Sequence, residues 1–140
     1  KLIPELKKRG YLIGTVKHTI HEFDMDKKGK DSWRHKAAGA ETVVVVSQGK
    51  IAMVKNENCE NLSGLEKYFD DMDLVITEGF KKKNRPKIEV CRSERSKKPL
   101  CQEDNNLIAL VTDVDINLNV PTFGLEEIEA LADLIEKKYL

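Results

Sequence analysis

Apolar and polar positions alternate along the chain in two distinct rhythms. Four short segments are almost continuously apolar: YLIGTVKH (11–18), TVVVVS (42–47), DLVITEGF (73–80) and LIALVTD (107–113). Their length and β-branched content predict strands. The four valines of TVVVVS predict a strand buried on both faces. The Gly-containing turn Gln48-Gly49-Lys50 then leads into IAMVK, so these two segments form a predicted hairpin. KIEVCR (87–92) alternates instead and fits an edge strand.

The other rhythm is helical. In LEEIEALADLIEKKYL, residues Leu125, Ile128, Leu131, Ala132, Leu134 and Ile135 share one apolar face. KLIPELKKRG reads as the end of a helix, with Leu2, Ile3 and Leu6 apolar, Pro4 near a first turn and Gly10 as the stop. A chain opening within a helix implies further sequence upstream. Residues 61–70 (Asn61 to Asp70) are a third helix candidate, with Ser63 and Glu66 spaced as a capping box. Asp31 is expected to cap a short helix running through Ala38, with small Ala37, Ala38 and Ala40 suited to close packing and Gly39 ending the turn.

Helices interleaved with buried-type strands predict an α/β fold: a mostly parallel sheet with helices on both faces and a β-hairpin insertion, in a single domain over residues 1–140. In such sheets ligands sit beyond the carboxyl ends of the strands. That rule selects Lys17-His18, Glu78-Gly79-Phe80 and Thr112-Asp113.

Charge changes the picture locally. Residues 1–78 carry 13 basic and 13 acidic side chains, residues 79–101 carry 9 and 2, and residues 102–140 carry 2 and 9. The balance sums to zero, so no chain-wide basic field for nucleic acid exists. The basic segment is either a solvated loop or a place for one anionic ligand. No apolar run approaches the ~20 residues of a membrane helix, and no signal peptide is evident. Cys59, Cys91 and Cys101 are odd in number and lack CxxC spacing, which fits a reducing cytoplasm.

The chemistry gathers at the strand ends and in TVKHTIHEFDMDKKGKDSWRHKAAGA (15–40), which holds all three histidines. Zinc would need third and fourth ligands beside His18 and His21. His35, Asp24 or Asp26 could supply them, but no cysteine joins the cluster. The acidic loop Asp24-Met25-Asp26 alternatively suits Mg2+ on a nucleotide phosphate. Asp31, Arg34 and His35 have spacing i, i+3, i+4, either an anion-holding group or an exposed polar face. Glu78 ends an apolar strand, where such an acid acts on Mg2+ or on a water near a terminal phosphate. Gly79 allows close approach of backbone to phosphate. No GxSxG elbow occurs, so nucleophilic catalysis is not indicated. Nor does GxxxxGK[ST] occur within these 140 residues.

The long block at 15–40, followed by TVVVVS and then DLVITEGFKKKNRPKIEVCR, closely resembles the molybdopterin-guanine dinucleotide biosynthesis protein MobB family, in the right order over nearly the whole chain. The resemblance implies a P-loop NTPase-like fold whose first strand and Walker A loop lie upstream of Lys1. It implies a dimeric GTP- and Mg2+-binding adapter with weak GTPase activity. Such an adapter assists the guanylyltransferase that joins GMP to molybdopterin. By the same resemblance, Glu78 and Gly79 match the Walker B end, and Glu78 becomes the catalytic and Mg2+ residue. Asp24 and Asp26 lie in a switch-like loop as further Mg2+ ligands. Lys17, His18, Gly79 and Asp113 fall to the nucleotide, although this strand ends in VTD where related GTPases carry NKxD. His21, Asp31, Arg34 and His35 complete the signature block, and Lys81, Lys82 and Arg85 border a site for the pterin phosphate or the partner enzyme. The competing expectations are a nickel-delivering maturation GTPase using the histidines, and a non-catalytic interaction module.

Overall fold

The structure is a computed structural model that describes residues 1–57, 62–81, 83–96 and 98–140. It divides into two compact units, residues 1–18 with 71–140, and residues 19–70.

The first unit begins with α1 (Leu2–Lys8), which holds Pro4 in its first turn and the fully buried Leu6 on its inner side. Its end is a Schellman closure. Gly10 adopts φ +100°, its N–H donates to the Lys7 carbonyl, and the Tyr11 N–H donates to the Leu6 carbonyl. Gly10 is therefore the stop that its position predicted.

Two parallel arrangements follow. β1 (Ile13–Lys17) pairs in parallel with β4 (Leu74–Glu78), Lys17 opposite Glu78. β6 (Leu107–Thr112) lies between β5 (Lys87–Cys91) and the two-residue β7 (Thr122–Phe123), parallel to both. β5 stands at the edge of its sheet, as its alternation predicted. β7 was not foreseen.

The core of this unit is built on β6 and on the last helix, α3 (Ile128–Tyr139). Ala109 and Val111 meet Leu131 and Ile135, and Leu2, Leu74, Ile88 and Phe123 pack around them. Leu131, Ala132 and Ile135 repeat at helical spacing, so one stripe of α3 is buried while Lys137 and Lys138 favour its carboxyl end. Arg9 ties the two helices together. Its guanidinium meets Glu5 (3.0 Å), Asp133 (2.7 Å) and Glu136 (2.9 Å), and Glu136 also accepts from the Tyr11 hydroxyl at 2.6 Å.

The second unit holds α2 (Asp31–Ala37) and the antiparallel hairpin of β2 (Thr42–Ser47) and β3 (Lys50–Lys55). The hairpin and its turn at Gly49 (φ +76°) match expectation. Burial does not. On one hairpin face Val44, Val46, Ile51 and Met53 are 50%, 68%, 71% and 42% exposed, and of the six β2 residues only Val43 is buried. Among the described residues β2 has a single strand neighbour, β3, and its valines on this face stay exposed, unlike the residues of β6.

Two smaller expectations are corrected. Residues 62–68 form two 3-10 turns, Leu62–Gly64 and Glu66–Tyr68, rather than an α-helix; Asn61 lies outside the described residues. Gly64 interrupts the segment, where its backbone freedom costs helix stability, and Ser63 falls inside the first turn instead of capping it. In α2 the cap position is Lys30, and Asp31 is the first helical residue, where its charge still favours the helix start. Ala37 and Ala38 are exposed, so they do not serve close packing. Gly39 (φ +103°) does end the helix, and its N–H and that of Ala40 reach the carbonyls of Lys36 and His35.

Candidate functional site

The parallel pairing of β1 and β4 brings four of the predicted residues together. Lys17 and Glu78 stand opposite each other at the carboxyl ends, with Nζ 3.9 Å from the carboxylate and both side chains exposed. The next residue, His18, continues the ladder: its N–H donates to the Glu78 carbonyl at 2.8 Å. Its ring lies 4.7 Å from that of Phe80, tilted by 44°.

Gly79 sits at the centre of this arrangement with φ +100°. A Cβ placed there would lie 2.5 Å from the His18 carbonyl oxygen. The chain thus needs glycine at 79 for its own packing, before any phosphate is considered. Phe80, which holds the His18 ring, falls within the strand end that the sequence picked out, but had no role assigned from sequence.

Asp113, beyond β6, is engaged elsewhere. One carboxylate oxygen accepts the Ser93 N–H at 2.7 Å and the other accepts the Ser93 hydroxyl at 2.8 Å. These bonds hold its carboxyl below the usual aspartate range, the backbone N–H of Ser93 having the largest effect. Nothing in the sequence tied Ser93 to Asp113.

Lys81 and Arg85 lie in the turns after β4, where the Lys81 N–H donates to the Gly79 carbonyl at 2.9 Å and the Arg85 N–H to that of Lys83 at 3.0 Å. Lys82 lies outside the described residues.

The remaining predicted residues belong to the second unit. Asp24 and Asp26 form a local turn: Asp24 Oδ1 accepts the Asp26 N–H at 3.1 Å, and Asp26 Oδ1 accepts the Lys27 N–H at 2.8 Å. One oxygen of each carboxylate is thus used within the loop. The second oxygen of each takes no part in these bonds. His21 is exposed, its N–H bonded to Thr19 Oγ1 at 3.1 Å. Asp31, Arg34 and His35 are exposed on α2, with Arg34 and Asp31 3.8 Å apart. Among the described residues, no three His, Cys, Asp or Glu side chains converge as a ready-made metal centre. An open cleft of about 670 Å³ between α1 and α3, lined by Glu5, Glu126, Glu129 and Asp133, touches none of the predicted residues.

Comparison with known proteins sets this geometry in a family. The model of "Molybdopterin guanine dinucleotide synthesis protein B", MobB, matches residues 1–113. This chain belongs to the MobB family. A molybdopterin-guanine dinucleotide biosynthesis adapter protein of Haemophilus influenzae is 37% identical over 139 residues, covering 97% of this chain and 78% of the relative. Its counterpart in Escherichia coli K12 is 37% identical over 143 residues, covering 96% and 81%. A crystal structure of molybdopterin-guanine biosynthesis protein B superposes with a TM-score of 0.75 at 30% identity, over 97% of this chain and 84% of that one. Bacillus subtilis MobB shares the fold, with a TM-score of 0.74 at 22% identity, over 99% and 86%. The α/β MobB fold, with parallel strand pairing and an antiparallel hairpin, is therefore the fold of this chain. Among the described residues no helix is long and apolar enough to cross a membrane.

Proposed function

We propose that this MobB-family chain is a cytoplasmic GTP-binding adapter in the synthesis of molybdopterin guanine dinucleotide. In this reading it assists the guanylyltransferase that joins GMP to molybdopterin, and it hydrolyses GTP weakly. The observation that carries the reading is the strand end where Lys17, His18, Glu78 and Gly79 come together. An exposed carboxylate on a rigid parallel strand is the donor that Mg2+ on a nucleotide phosphate requires. Lys17 supplies positive charge beside the phosphates. Glu78 holds Mg2+ or orients the attacking water. Mg2+ supplies the charge neutralisation at the terminal phosphate. Asp113 would read guanine only after giving up Ser93. His21, Asp31, Arg34, His35, Lys81, Lys82 and Arg85 are assigned to molybdopterin or to the partner enzyme.

The test is reconstitution. Guanylyltransferase, molybdopterin and Mg-GTP are assayed for dinucleotide formation with and without the full-length protein. Stimulation by the wild type and its loss in Glu78→Ala are expected. An equal rate with and without the protein would remove the adapter role.

A specific observation also favours self-association. The hairpin presents Val44, Val46, Ile51 and Met53 on one exposed face, and among the described residues β2 and β3 have no further strand neighbours. Apolar surface of this kind on a strand pair marks an interface. We assign it to a second copy of the chain, giving a homodimer.

A further inference from the structure

We infer that Phe80 is a positioning residue: it holds the His18 imidazole at the strand end as a hydrogen-bond donor to a nucleotide phosphate. The inference rests on the GTP reading of that site. It adds a residue that carries no charge and no phosphate-binding group of its own.

Local constraints bring the two rings together. The parallel register ends with Lys17 opposite Glu78, so His18 and Gly79 are the first residues past the ladder on neighbouring strands. The His18 N–H extends the ladder by one bond, to the Glu78 carbonyl at 2.8 Å. Gly79, at φ +100°, leaves room for the His18 carbonyl oxygen, which lies 2.5 Å from where a Cβ would stand. A side chain at 79 would obstruct that approach. The Lys81 N–H donates to the Gly79 carbonyl at 2.9 Å and closes a three-residue turn with Phe80 at its centre. The Phe80 ring then meets the His18 ring with centroids 4.7 Å apart and planes tilted by 44°. This is an attractive aromatic geometry.

Core packing does not account for the pair. Neither residue belongs to the cluster around Ala109, Val111, Leu131 and Ile135. His18 is exposed and Phe80 half-buried, so the phenyl steadies an imidazole that otherwise faces solvent. Among the described residues no hydrogen bond reaches either ring nitrogen of His18. An imidazole carries at least one N–H donor in either charge state, so a steadied ring keeps a donor ready before the ligand arrives. A loose side chain would have to be ordered on binding, and the phenyl contact removes part of that cost in advance. Lys17 and the Mg2+ on Glu78 supply charge at this strand end; His18 adds direction.

The experiment joins a spectroscopic signature to a double-mutant cycle in the full-length protein. The His18 ring-proton resonances, assigned by their loss in His18→Gln, should be displaced from free-histidine positions by the phenyl ring current. Phe80→Leu should abolish the displacement, and Phe80→Tyr should restore it. Mg-GTP affinity should fall about fivefold in His18→Gln and as much in Phe80→Leu, and return in Phe80→Tyr. The double variant His18→Gln/Phe80→Leu should bind no more weakly than His18→Gln alone, because Phe80 acts only through His18. Undisplaced His18 resonances in the wild type would overturn the inference. So would wild-type affinity in Phe80→Leu, additive losses in the double variant, or failure of tyrosine to restore binding; each of these leaves GTP binding itself intact. A wild type that binds no Mg-GTP would instead remove the GTP reading, and the role of Phe80 with it.

Discussion

Two six-residue strands, Leu107–Thr112 and Thr42–Ser47, carry the same sequence signal and meet opposite fates. β6 has a neighbour on each edge and α3 against it, and all but one of its residues are buried. Among the described residues β2 has one neighbour, and it keeps one residue buried. The difference teaches that an apolar run specifies a need for cover, not its source. For β6 the source is the chain itself. For β2 we place it in a second copy.

The largest expected effect tests the covered strand. Leu110 is fully buried, so Leu110→Ala should cost about 2–5 kcal/mol in urea denaturation. Val46→Thr on the exposed face should change the stability of the dilute monomer by less than about 0.5 kcal/mol. Equal losses at both sites would erase the contrast. Next, Val44→Lys/Val46→Lys should weaken self-association at least tenfold in sedimentation equilibrium while leaving the circular dichroism spectrum unchanged. A wild type found only as monomer would remove the proposed cover.

A third test addresses the strand end. Gly79→Ala forces a Cβ toward the His18 carbonyl in a backbone region that favours glycine. A loss of about 1–3 kcal/mol is expected on thermal or urea denaturation. A neutral substitution would mean that His18 yields readily.

The smallest effect concerns acid. Lys87 sits 2.7 Å from Asp104, and this contact, with the N–H groups of Asn106, lowers the Asp104 pKa from 3.8 to about 2. A carboxyl depressed by folding adds stability that is complete above its unfolded value and fades as pH falls through the folded one. Asp104→Asn should therefore flatten the stability curve between about pH 4 and pH 2. An unchanged acid limb would show that Lys87 and Asp104 do not act as a pair.

Much of this was legible in the chain. Continuous apolar runs, helical spacing in α3, and Gly10, Gly39 and Gly49 as stops and turn all reflect local physics, which sequence records directly. Lys17, His18, Glu78 and Gly79 were legible because parallel sheets present strand ends. The grip of Asp113 on Ser93 was not legible, since a contact across twenty residues depends on strand register. Nor was the clasp of Glu89 on the N–H groups of Leu100 and Cys101, or β7, whose two residues are too short for a pattern. Gly79 was chosen for a reason the structure changes: its immediate constraint is the His18 carbonyl. The exposed valines were misread because periodicity reports apolarity and is blind to neighbours.

The central claim is nucleotide binding at the strand end, and equilibrium titration of the full-length protein with GTP tests it most directly. Saturable binding that Mg2+ strengthens is predicted, with the Mg2+ effect lost in Glu78→Ala while the fold is retained. Wild-type protein that binds no GTP, or a Mg2+ effect undiminished in Glu78→Ala, would contradict it.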